Sequence, residues 1–219
     1  MNRRLFELDP IALLFYSMAG LYRDLPVWLR LNLLGLLFTL PIVTAGAASS
    51  GVYFAVRAWV LDQIDGAYTI QQAFFEGFRQ HFWRGTAVGL LNLLCGAVIL
   101  FATWFWFTSS IALLNYVAVV GIYALLWWLA CQPYIYPVCV ASKELAPLRV
   151  LQLAFQLVGK SPVYTLLLLL LLVGINIVAI VLLGPVLLIL QVFIAILTTQ
   201  ALWIVTDEPL PRLRDSEST

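Results

Sequence analysis

The sequence predicts an all-α, polytopic integral membrane protein: about six transmembrane helices with two or three interfacial amphipathic helices. Three observations carry this. Of 219 residues, 63% are hydrophobic and 11% charged, where a soluble domain carries about 25% charged residues. Apolar runs of membrane-spanning length recur, and short polar, prolyl or small-residue breaks separate them. The mean hydropathy is +0.98, and a net charge of +1 supplies no clustered basic face for nucleic acid. Cys95, Cys131 and Cys139 fall inside apolar runs, where a thiol acts as a small hydrophobe, so no disulfide framework is readable.

The elements follow in order. After Arg3 and Arg4, Asp9-Pro10 offers an N-cap and first helical residue before the apolar stretch Ile11 to Tyr22. That stretch rises only about 18 Å against a hydrocarbon core of about 30 Å, which favours an interfacial or re-entrant helix. A signal peptide is the rival reading, from Ser17-Met18-Ala19, but Glu7, Asp9 and Pro10 interrupt the usual layout. Asp24 and Pro26 open the first span, 27–43, with Trp28 at one interface and Pro41 bending or ending its far end. The uncharged turn Thr44 to Gly51 leads into a second span, 47–61.

Asp62, Asp65-Gly66 and Gln71-Gln72 make a polar elbow. From there Ile70, Ala73, Phe74, Phe78 and Phe82 recur at helical spacing opposite Gln71, Gln72, Glu76, Arg79 and Gln80, which predicts a helix lying flat at the headgroups. The third span, 83–107, carries Gly85, Gly89, Asn92, Gly96 and Thr103 on one stripe, the small-residue pattern that lets helices approach closely in lipid. Thr108-Ser109-Ser110 turns the chain into a fourth span, 111–141, in which Pro133 and Pro137 predict a kink or a break. Lys143 and Glu144 end it. A second amphipathic stretch, Leu148 to Val158, has Arg149, Gln152, Gln156 and Lys160 on its polar side. Ser161-Pro162 opens the fifth span, 163–183, and Gly184-Pro185 turns into the sixth, 186–205. Residues 1–206 form one transmembrane domain, and 207–219 read as a disordered cytoplasmic tail.

A shift of 81 residues superposes Tyr53, Gln71, Ala73 and Phe74 on Tyr134, Gln152, Ala154 and Phe155. An internal duplication and a chance match in an apolar chain are both open, the shared layout being the stronger argument. Lysines and arginines cluster at the N-terminus, the two elbows and the tail. The three opposite turns are uncharged, so the positive-inside rule places both termini and both elbows in the cytoplasm.

The stretch Leu25 to Arg84 resembles the YesL-type bacterial membrane proteins, a family catalogued as a domain of unknown function. The resemblance rests on Leu31-Asn32-Leu33-Leu34, Leu40-Pro41 with Thr44 and Gly46, Tyr53 with Arg57, and Phe75, Phe78 and Phe82. Members are often encoded beside components of ABC-type carbohydrate uptake systems. The resemblance therefore implies an accessory or regulatory membrane subunit in sugar uptake, with a permease as partner, and supplies no catalytic motif. The long N-terminal apolar segment and the setting of Arg57 depart from it.

Arg57 is the one cation well inside an apolar run, a functional signal by default. It also lies near enough to Asp62 to snorkel or pair, so a structural ion pair competes with an anion, lipid or substrate contact. No Asp or Glu lies inside a predicted span, which weakens an ion-coupled pump. The amides Asn32, Asn92, Asn115, Gln132, Asn176, Gln191 and Gln200 do not converge at one depth, which favours interhelical hydrogen bonds over a ligand path. His81 has no ligand partner at metal spacing, Asp62 and Asp65 read as a turn, and no catalytic or phosphate-binding motif occurs. The eight tryptophans fit an aromatic belt. No catalytic residue, cofactor or metal is expected, and the bilayer is the first partner. Phe75, Glu76 and Arg79, with Arg57 beneath them, are the candidate partner or ligand contacts; Gly85, Gly89, Asn92 and Gly96 form the packing stripe. A non-enzymatic accessory subunit is the first hypothesis. A small transporter or channel for a neutral solute is the second, separable by flux from the reconstituted chain alone, and an intramembrane enzyme is the third.

Overall fold

The computed structural model describes residues 25–60, 69–110, 112–142, 145–181 and 187–206. The N-terminal stretch, the Asp62 to Asp65 elbow, Lys143-Glu144, the Gly184-Pro185 turn and the tail 207–219 lie outside them. All elements described are helical: α1 (Leu25–Thr39), a 3-10 turn (Ile42–Thr44), α2 (Ala45–Val60), α3 (Ile70–Gln80), α4 (Phe82–Phe107), α5 (Ala112–Ala141), α6 (Pro147–Lys160), α7 (Pro162–Val181) and α8 (Leu187–Thr206).

Two of these helices are long and apolar enough to cross a membrane, α4 and α5; α6 and α7, bent by 105° where they meet, make a third if taken together. That is fewer than the six spans expected. The shortfall at α1 has a local cause. Its helix stops at Thr39, whose hydroxyl donates to the Leu36 carbonyl at 2.8 Å, and Pro41 follows. The Thr44 N–H then reaches the Pro41 carbonyl at 2.9 Å and its hydroxyl the Phe38 carbonyl at 2.8 Å. Residues 40–43 therefore form a turn. With 15 residues, α1 is about 22 Å long.

In α5 the prolines remove two ladder donors, yet both lie inside one continuous 30-residue helix, so the chain does not break there. α4 and α5 form an antiparallel hairpin, and beyond Gly96 most of their side chains are exposed or half-buried. The buried side chains form two clusters. One joins Trp28 and Leu31 of α1, Val52 and Val56 of α2, and Phe74 of α3. The other joins α5, α6 and α7 through Ile135, Val150, Ala154 and Leu168. α8 lies between them, giving Val192, Ala195 and Ile196 to the first and Leu197, Ala201 and Leu202 to the second. The expected sixth span thus has protein, rather than lipid, around its central turns.

Candidate functional site

Helix α3 starts on a complete capping box: the Gln72 N–H donates to the Thr69 hydroxyl at 3.3 Å and the Thr69 N–H to the Gln72 side chain at 2.8 Å. Such reciprocal capping satisfies two otherwise orphaned donors and fixes the start of the helix. Glycines then let α3 press against α2. A Cβ at Gly51 would lie 3.0 Å from the Phe74 carbonyl oxygen, and one at Gly77 would collide with Phe54. Phe74 is fully buried, and Phe38 near the end of α1 packs, tilted or edge-on, with ring centroids 5.1 to 5.8 Å from those of Phe74, Phe75 and Phe78.

The apolar face of α3 is thereby covered by α1 and α2. Amphipathic spacing identifies a face to bury and leaves open what buries it; the expected position of α3 at the headgroups is a separate matter. On the opposite side Gln72, Phe75, Glu76, Arg79 and Gln80 are exposed. Gln80 donates to Glu76 at 2.8 Å, and Phe75, 43% exposed, rests edge-on against Phe38. The structure thus brings Phe75, Glu76 and Arg79 to one exposed face of a firmly held helix. Arg57 lies in the last turn of α2, half-buried, with its Nε enclosed and without a hydrogen-bond partner among the described residues.

The small-residue stripe of α4 meets two different helices. Gly85 touches the backbone of Gly46 and the hydroxyl of Ser50, and a Cβ at Gly89 would lie 3.1 Å from the Gly46 Cα. Farther along, Asn92 donates to Gln132 at 3.0 Å and accepts from the Trp128 indole at 2.9 Å, while Gln132 also donates to the Trp128 carbonyl at 3.0 Å. Gly96 lies under the Trp128 ring, and Gly121 of α5 under Thr103. With its amide turned to donate, Asn115 reaches the carbonyls of Trp106 and Ser109 at 2.9 and 3.1 Å. The amides of α4 and α5 therefore bond across the hairpin.

Sequence reasoning did not single out the other half of this junction. Gly46 and Ser50 stand four apart, a small-xxx-small signal on α2, and would have named the surface that receives Gly85. Two tyrosines were also missed as buried pins: Tyr53 lies 3.0 Å from the Thr198 hydroxyl on α8, and Tyr134 lies 2.9 Å from Thr165 on α7. His81, at the joint of α3 and α4, has Nδ1 3.1 Å from the Gly77 carbonyl and its ring 5.8 Å from Phe54. The three cysteines are free thiols.

A family model described as "Protein of unknown function, DUF624" matches residues 27–103. The match runs from α1 into α4, and so contains the elbow helix, Arg57 and the glycine stripe; it supplies neither the YesL name nor an activity. No curated protein and no solved structure matches the chain.

Proposed function

We propose that the chain is a non-enzymatic, multi-pass protein of the bacterial cell membrane that acts as an accessory or regulatory subunit beside an ABC-type sugar permease. The observation that carries the reading is the elbow face of α3. An aromatic side chain and two opposite charges are displayed together on a helix whose other face is locked into α1 and α2. Aromatic and arginine anchors on a preorganised surface are what a protein partner uses best. The partner class comes from the family resemblance of residues 25–84.

In this reading the chain leaves and returns to the cytoplasmic face as three hairpins, α1–α2, α4–α5 and α7–α8. Both termini and both elbows stay inside, as the distribution of Lys and Arg favours. A solute path is the weaker reading, because Asn92, Gln132 and Trp128 spend their polar atoms on one another.

Co-purification from native membranes tests the proposal. Glu76→Lys combined with Arg79→Glu reverses both charges on an exposed surface. It is expected to abolish recovery of the partner while the protein level in the membrane is kept. Retention of the partner by the double variant contradicts the α3 face as the binding surface, and solute flux from vesicles holding the purified chain alone contradicts the accessory role.

A further inference from the structure

Taking the membrane reading as given, we propose that the α1–α2 hairpin does not cross the bilayer but dips into the cytoplasmic leaflet and returns, so that its tip is solvated by the acyl chains of that leaflet. Three observations lead there. The exposed face of α3 holds Glu76 and Arg79, charges that are costly in hydrocarbon and hold this helix at the headgroups. Yet Phe38, one residue from the end of α1, is in ring contact with Phe74, Phe75 and Phe78 of the same helix. Packed helices have axes about 8–10 Å apart, so the tip of α1 lies within about 10 Å of the depth of α3, whereas crossing requires about 30 Å.

The second observation is the register of α2 on α4. Phe54 meets His81, Ser50 meets Gly85, and Gly46 meets Gly85 and Gly89. α2 thus runs antiparallel to the first two turns of α4, and its N-terminal end is level with Gly89. From Leu90 to Phe107, α4 continues for about 27 Å beyond the hairpin tip, accompanied by α5.

The third is charge depth. Arg30 of α1 is exposed and lies only about 14 Å of helix below Thr39, half the thickness of the hydrocarbon core. Placing Arg30 at the headgroups carries the tip no deeper than about the middle of the bilayer. That tip is apolar: Leu40 is 77% exposed, and Leu36, Leu37 and Val43 are exposed beside it. Such a surface suits acyl chains and would be wrong for the aqueous face opposite.

The test is depth-dependent quenching in phosphatidylcholine–phosphatidylglycerol vesicles. A polarity-insensitive fluorophore is attached to a single cysteine at Leu40, Leu94 or Ser109 in the full chain with Cys95, Cys131 and Cys139 replaced by alanine. Brominated acyl chains serve as the quencher. Leu94, exposed at the middle of α4, is expected to lose most fluorescence with bromines near the chain ends, and Ser109 little. The proposal predicts that Leu40 behaves as Leu94 does. A Leu40 probe that escapes deep quenching as Ser109 does, while Leu94 is quenched, means that the tip is not among the acyl chains and overturns the proposal. An unquenched Leu94 overturns the membrane reading itself. Val43 is a second exposed tip position should the Leu40 variant fold poorly, and is read by the same criteria.

Discussion

At Gly89 the packing is tight: a Cβ there would meet the Gly46 Cα at 3.1 Å, and the neighbour would have to give by a few tenths of an ångström. Gly89→Leu inserts volume where two backbones touch and is expected to cost about 1–3 kcal/mol. Leu90→Ala removes an exposed side chain and should change the melting temperature in detergent far less. Equal losses would show that this part of the stripe bears no packing. The amide cluster one turn farther on is tested by a double-mutant cycle on Asn92→Ala and Gln132→Ala. A coupling of about 0.6–1.7 kcal/mol is expected for an interhelical hydrogen bond in a membrane protein; additive losses would mean that the 3.0 Å contact contributes nothing to stability.

Among the elements, the two elbow helices occupy equivalent places in the layout but are held differently. Phe74 of α3 is fully buried, whereas Phe155 of α6, its counterpart at a shift of 81, is 56% exposed and leans on Trp127 at 5.1 Å. Phe74→Ala is therefore expected to destabilise by about 3–5 kcal/mol, and Phe155→Ala by clearly less. Matching losses would indicate two truly equivalent halves. The start of α3 was legible from the periodicity beginning at Ile70, because spacing is local; its Thr69 cap came only with the structure. The partner of its apolar face was not legible, since Phe38 comes from a helix more than thirty residues earlier. The sequence had Pro41 bending or ending α1, and the helix stops just before it, at Thr39. Residues 40–43 are as apolar as a span, and the turn bonds around Pro41 and Thr44 show that the helix has already stopped.

Across the whole molecule, apolar length made α4 and α5 plain in the sequence, whereas α1 and α2, at 15 and 16 residues, are too short to cross as single helices. Hydropathy measures what a helix avoids, and a helix surrounded by protein avoids water as well as one surrounded by lipid. Thr198, Thr199 and Gln200, all buried, show that these turns of α8 pack against protein, as those of a crossing or a non-crossing helix can. The central claim is that the α4–α5 hairpin carries the chain across the membrane while the α3 elbow stays behind on the cytoplasmic side. Its most direct measurement is two-sided labelling of single cysteines at Ser109 and Arg79, in a cysteine-free background, with a membrane-impermeant maleimide. Ser109→Cys is predicted to label in intact cells and Arg79→Cys only after permeabilisation; labelling of both from one side, or in the reverse order, would contradict the account.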